Sequence, residues 1–244
     1  MCWSGEASTV WAAIGFTASA YAAYKKEDRA LYVPLIYFSL MEALQAYTYL
    51  YINQCDAPEN QIATLLGYLH ITFQPFFINM ISMYFIPSEV RRKVELPVYT
   101  LCFASSIFMI IQLYPFDWAG QCLEGVRELC GSRLCSVSGN WHIAWDVPTN
   151  AIGNYFAESN FRPFKAGYFT YVFVAFMLPL IYGSWRFTIY HYFMGPFLAR
   201  MLTDDLNERP AVWCLLSIGF LLIVAKTPIR KYLFIKKHVL ADNK

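Results

Sequence analysis

The sequence predicts an all-α fold: a polytopic membrane protein, a seven-transmembrane-helix bundle with its N-terminus outside and its C-terminus inside. Three observations carry this. The 244 residues are 57% hydrophobic and only 15% charged, whereas a soluble domain is about 25% charged. Several charge-free stretches approach the ~20 apolar residues that a spanning helix needs. Lys and Arg gather in alternate connections, which sets orientation.

Taken in order, the expected spans are 7–24, 30–53, 61–87, 96–114, 141–157, 167–191 and 210–226, in one domain covering 1–244. The first lacks a basic leader, because Met1–Val10 holds Glu6 and no Lys or Arg, so it reads as an uncleaved span. The second is apolar with one charge, Glu42. The fifth is the least apolar, carrying His142, Asp146, Pro148, Asn150 and Asn154. Counting it as a span keeps the C-terminal tail on the inner side; a re-entrant segment is the alternative. The sixth is long, and Pro179, Gly195 and Pro196 allow bends. The stretch Thr203–Pro210, with Asp204, Asp205, Asn207 and Glu208, reads as a solvated outer turn.

Lys25, Lys26, Arg29, Arg91, Arg92, Lys93, Arg162, Lys165 and the tail from Lys226 onward mark the inner side. A net charge of +2 gives no basic excess for nucleic acid, so the expected partners are the lipid bilayer and a lipid-like or small-molecule ligand. Oligomeric state is not legible. The expected location is a membrane, multi-pass, of the bacterial inner (cytoplasmic) type.

Five of the seven cysteines fall on the expected outer side, which is the oxidising one. The outer loop 115–140 holds Cys122, Cys130 and Cys135. Sequence does not fix pairing; the expectation taken forward is Cys55 with Cys122 and Cys130 with Cys135, the loop forming a stapled lid. A zinc knuckle from Cys130 and Cys135 is the alternative.

Ionisable groups inside a span are costly and point to function. Ser39, Glu42, Gln45 and Tyr49 follow helical spacing and form one polar stripe. His70 and Gln74 share a face, as do His142, Asp146 and Asn150 on a helix. Imidazoles and carboxylates suit Zn²⁺. The expected metal set is therefore His70, His142, Asp146 and His191, with Glu42 or Asp146 as acid/base for hydrolysis of a lipid-like substrate. Gln45, Gln74, Asn150, Trp145 and Arg186 complete a ligand pocket, with Asp146 and Glu42 as partners for Arg186. Two alternatives keep the pocket without this chemistry: a small-ligand sensor or transporter, and a haem protein using two histidines as axial ligands. A further alternative is that these groups are bonded structurally within the bundle.

The stretches LMEALQAYTY (Leu40–Tyr49), LHITFQPFF (Leu69–Phe77), CSVSGNWHIAWDVP (Cys135–Pro148) and GPFLARMLTDDLNERPAVWCLLSIG resemble a family of bacterial integral membrane proteins known as a domain of unknown function. That resemblance implies a multi-helix bundle and supplies no catalytic residues. In topology alone the chain is similar to the superfamily of alkaline ceramidases and progestin/adiponectin receptors, which hold zinc by histidines. Their last helix carries a His-x-x-x-His pair, and 210–226 here contains no His.

Overall fold

A computed structural model describes residues 3–153 and 168–235. The described residues are mostly helical. Ser4 opens α1 (Gly5–Tyr24), its hydroxyl accepting the Ala7 N–H at 3.3 Å. Asp28 caps α2 (Arg29–Thr48) the same way at Ala30, 2.8 Å, and a 3₁₀ turn, Tyr49–Tyr51, follows. Pro58 starts α3 (Pro58–Tyr84), where its missing N–H has no cost. Next comes α4 (Ser88–Ile111). Residues 112–153 form turns, a hairpin and a 3₁₀ turn; further along come α5 (Phe169–Ile181) and α6 (185–202), each with a π-helical turn inside, Phe173–Met177 and Phe193–Phe197. The last helices are α7 (Arg209–Lys226) and the short α8 (Ile229–Leu233).

Two expectations about the spans need correction. The expected fifth span, 141–157, is not a helix over its described part. Ile143–Asp146 is a strand, β2, paired antiparallel with β1 (Cys135–Ser138), and Ala151–Gly153 is a 3₁₀ turn. Its apolar residues are buried in a cap, and a short apolar run reads the same for a strand or a helix. The fold is therefore not purely α. The expected sixth span, 167–191, is broken at Tyr182–Ser184, where Gly183 takes φ +97°. That break starts a separate helix, α6. Among the described helices, α4 and α7 are the two long and apolar enough to cross a membrane by length and composition, so the seven expected spans are not shown. Arg162 and Lys165 lie outside the described residues.

Short connections make α1–α2, α2–α3 and α3–α4 antiparallel neighbours, and α7 closes the bundle against α1 and α2. The α1 face turned inward is small: Ser8, Ala12, Gly15 and Ser19 are buried one turn apart. Small residues let backbones approach. A Cβ on Gly15 would collide with the Ser39 hydroxyl of α2. One continuous core joins Phe38 and Met41 of α2, Tyr68 and Ile78 of α3, Phe187 of α6 and Ile218 and Val224 of α7. Trp145 of the hairpin belongs to it too.

The connections collect at two ends. At one, the β1–β2 hairpin covers the bundle. At the other, Ser184 donates to the Ser82 carbonyl (2.7 Å), Ile235 N–H to the Phe85 carbonyl (2.9 Å), and Arg230 pairs with Glu27 (2.9 Å). Among the described residues the capped end holds ten Asp or Glu and four Lys or Arg. The opposite end holds four and ten, and Glu42 lies between.

Candidate functional site

The cap is built on asparagines and one disulfide. The outer edge of β1 lies against Asn60 of α3, whose side chain accepts from Ser136 N–H (2.9 Å) and donates to the Ser136 carbonyl (2.9 Å). Asn53 repeats this arrangement one residue pair along: it accepts from Ser138 N–H (2.8 Å), donates to the Ser138 hydroxyl (2.9 Å), and its own N–H reaches the Ser136 carbonyl (3.1 Å). Along β2, Asn207 accepts the Trp145 N–H on its carbonyl (3.1 Å) and donates its amide to Asp146 (2.8 Å) and to the Cys130 carbonyl (2.8 Å). The β1 edge is thus bonded mainly by asparagine side chains and the β2 edge at Trp145 by the Asn207 main-chain carbonyl.

The disulfides join Cys55 to Cys135 and Cys122 to Cys130. This corrects the expected Cys55–Cys122 and Cys130–Cys135 pairs. β1 lies beside the α2–α3 connection, so Cys135 meets Cys55, with Cα atoms 5.0 Å apart, which is bonding distance. Cys130 is left to close an eight-residue loop on Cys122. The two staples still make the lid that the sequence predicts.

Glu208 is the residue that sequence reading missed. It lies not in a solvated turn but fully buried, under the hairpin turn. Its carboxyl oxygens accept from the backbone N–H groups of Trp141 (2.5 Å) and His142 and from the Thr203 hydroxyl. A Cβ on Gly139 would lie 2.7 Å from its carboxyl carbon, so only glycine leaves room. One of three acids in a short polar run, Glu208 gives no sequence signal of this.

Beneath the cap runs a polar column. Tyr49 Oη and His142 Nδ1 are 2.7 Å apart. Trp3 stacks on Trp141 (5.7 Å) and donates its indole N–H to Ser8 (2.9 Å), which faces Glu42. Glu42, Gln45 and His142 are fully buried. Both amide atoms of Gln45 and Nε2 of His142 have no hydrogen-bond partner, and the Glu42 carboxyl has no nearer partner than the Ser8 hydroxyl. The column therefore keeps under-bonded polar groups in the interior, where buried polar groups are normally paired; Gln112, Arg127 and His191 elsewhere also keep unpartnered atoms. Burial holds the His142 imidazole neutral, pushing its pKa down to about 3.

The interior continues across the bundle. Cys214 of α7 lies 3.9 Å from the Gln74 amide nitrogen, and Gln74 accepts from the Tyr171 hydroxyl (2.8 Å). Tyr171 meets Trp213 edge-on, and Trp213 is 5.5 Å from His191. His191 sits among Phe176, Phe187 and Phe220, with both ring nitrogens unpartnered. The two π turns adjoin it, one supplying Phe176 and one Gly195. A Cβ on Gly195 would lie 2.5 Å from the Trp213 indole nitrogen.

Among the described residues no three His, Cys, Asp or Glu side chains gather as a metal-holding set. The four expected zinc ligands are separated by what each packs against. His70 stacks on Tyr37 (3.8 Å), and His191 is boxed by aromatics. His142 and Asp146 flank β2 rather than sharing a helix face. Asp146 is half-buried and bonded to Asn207; its carboxyl pKa is raised, first by burial and then by Glu124 and Asp205. The three described histidines have different ring neighbours: Tyr37 at His70, Tyr49 at His142 and Phe176 at His191. Asn150 is a cap residue, donating to the carbonyls of Ile111 (3.0 Å) and Tyr114 (2.8 Å). Trp145 is buried against Gly67 of α3. Arg186 is at the opposite end and binds neither Asp146 nor Glu42; it donates to the carbonyls of Tyr232 and Phe234, both at 3.1 Å.

A family model described as a family of unknown function, DUF5765, matches residues 6–234. The chain belongs to this family. The match takes in all of α1 but its first residue through α8, with the cap and Glu42, Gln45, Tyr49 and His142; Trp3 lies before it. No curated protein and no solved structure matches the chain, and no link to the ceramidase and progestin/adiponectin receptor superfamily is shown.

Proposed function

We propose that the chain is an integral membrane protein of seven spans, α1 to α7, with the cap outside, and that it is a non-enzymatic sensor or transporter of a small polar-headed ligand. The ligand sits under the hairpin against Glu42, Gln45 and His142. One observation carries the binding reading: both amide atoms of Gln45 and Nε2 of His142 are buried without partners, and Glu42 beside them has only the Ser8 hydroxyl near its carboxyl. Leaving such groups unsatisfied costs about 1–3 kcal/mol each, and a bound ligand would recover that.

The membrane reading rests on charge and surface. Two helices, α4 and α7, are long and apolar enough to cross a membrane. In α4 the apolar window has mean hydropathy 1.8 and is only 28% buried, so it presents apolar side chains such as Leu96, Leu101, Phe103 and Ile107 outward. The core helix of a soluble protein does the opposite. The basic excess at the end away from the cap agrees with the positive-inside rule. A hydrolase would need the metal ligands or an acid/base pair assembled around one point, and the geometry favours binding over that reading.

The test is a thermal-shift screen of the detergent-purified protein against cationic, neutral and anionic small molecules, repeated on Glu42→Gln. Stabilisation by one charge class, lost in the variant and without turnover of the compound, is expected. Stabilisation that is indifferent to Glu42, or absent for every class, would contradict the assignment.

A further inference from the structure

Past Arg91, Arg92, Lys93 and Glu95, α4 enters a stretch without Asp, Glu, Lys or Arg, Leu96–Phe116, which Asp117 ends. A hydrocarbon core takes up ~20 helical residues, so a core entered at Leu96 is left at about Pro115 or Phe116. That point is just beyond the end of α4 at Ile111, in the first residues of the cap.

The chain places a row of aromatic rings there. Helical turns run on past Ile111, with the Leu113 N–H bonded to the Ile110 carbonyl (3.0 Å) and the Tyr114 N–H to the Ile111 carbonyl (3.1 Å). By that spacing Tyr114 continues the exposed row of Phe103, Ile107, Ile110 and Ile111 on α4. Its ring is 4.6 Å from the ring of Phe116, which is 5.5 Å from that of Trp118. Tyr114 is 62% exposed and Trp118 67%.

The backbone holds these rings outside. Asn150 donates to the Tyr114 carbonyl (2.8 Å), as does the Phe116 N–H (2.9 Å). Ala119, which is buried, donates its N–H to the Phe116 carbonyl (3.0 Å). The ledge is thus pinned to the cap at several points. Tyr and Trp join an apolar ring to a polar tip, which suits the boundary between lipid chains and headgroups. Continuity with the outward apolar face of α4 selects lipid as the neighbour, because the ledge is the upper end of that face.

We propose that Tyr114, Phe116 and Trp118 form an interfacial anchor that beds this side of the cap in the outer leaflet, at the glycerol and headgroup level of the phospholipids. This rests on the seven-span reading above and goes beyond it in naming the surface of the cap that touches lipid.

The experiment uses the full chain in phosphatidylcholine nanodiscs, with the lipid brominated either just below the glycerol or near the chain ends. Trp118 emission is read as the difference between wild type and Trp118→Phe. A second reporter is Phe103→Trp in the Trp118→Phe background. Phe103 is exposed on α4 and lies ~12 Å deeper than Ile111 along the helix. Trp118 should be quenched roughly threefold more by the shallow bromines than by the deep ones, and Phe103→Trp should show the reverse order. Quenching of Trp118 by aqueous acrylamide and by neither lipid, with Phe103→Trp still quenched by lipid, would overturn the anchor and leave the spans standing. Shielding of Trp118 from acrylamide and both lipids would also overturn it, since a second copy or another protein would then cover the ledge. Strongest quenching of Trp118 by the deep bromines would overturn the interfacial depth. Failure of both reporters to respond to lipid would overturn the membrane reading itself.

Discussion

The two ends of the bundle are built by different rules. The capped end is held by two disulfides, by Asn53, Asn60 and Asn207 bonded along a two-stranded sheet, and by a buried glutamate under a glycine turn. The opposite end has short turns, half-exposed cations and main-chain contacts. Its ion pair, Arg230–Glu27, is 24% and 38% exposed. The proposed binding site lies under the stapled end, because a site needs a supporting shell that holds it in place. The looser end holds the helices in register.

Breaking the staple should have the largest effect. Cys55→Ser with Cys135→Ser opens a loop of 80 residues, for which chain entropy alone gives about 4–5 kcal/mol. Thermal unfolding in detergent should show it, and reducing agent should reproduce it in the wild type. The Cys122–Cys130 staple, closing eight residues, should cost less, about 2–3 kcal/mol. Glu208→Ala should come next at about 3 kcal/mol. It strands two backbone donors and the Thr203 hydroxyl, each orphan costing about 1–3 kcal/mol before relaxation. Limited proteolysis at the hairpin would report whether the turn detaches.

Acid should act on the capped end through two groups of opposite sign. The folded-state pKa of His142 is about 3 against 6.5 unfolded, so between those values the unfolded chain binds the extra proton. Stability contributed by neutral His142 is present above pH 6.5 and is lost as pH falls toward 3. Asp146 has the opposite sign: its raised pKa favours the folded state in acid, and that contribution fades as pH rises through the folded value. The difference in melting curves between wild type and His142→Gln isolates the histidine. A wild-type curve as flat as the variant's would remove His142 from the closed column. At the opposite end Arg230→Ala should cost less than about 1 kcal/mol, the usual worth of a partly exposed pair, and a loss as large as that for Glu208 would erase the contrast drawn above.

The sequence discloses some of this and conceals the rest for physical reasons. The stripe of Glu42, Gln45 and Tyr49 is legible because three- and four-residue spacing survives any tertiary arrangement, and both Glu42 and Gln45 are fully buried as expected. That the loop cysteines form disulfides is legible from cysteine placement. The pairing is not, since it depends on the hairpin lying beside the α2–α3 turn. Ile143, Ala144 and Trp145 imitate a span because a cap strand is buried as completely as a helix core. Glu208 imitates a solvated turn residue because its partners are backbone groups 66 and 67 positions away. The break at Gly183 carries a weak signal, a Gly-Ser pair between two apolar runs, which a continuous hydropathy reading passes over.

The central claim is that the column is kept polar for a ligand and not for the fold. The melting temperature of ligand-free Glu42→Met in detergent tests it most directly. A buried acid with only the Ser8 hydroxyl near it costs stability, so replacing it with an apolar side chain of similar length should raise the melting temperature while abolishing ligand-induced stabilisation. A fall of the size seen for Glu208→Ala would contradict the account, because it would mean that Glu42 already has the partners a structural role requires.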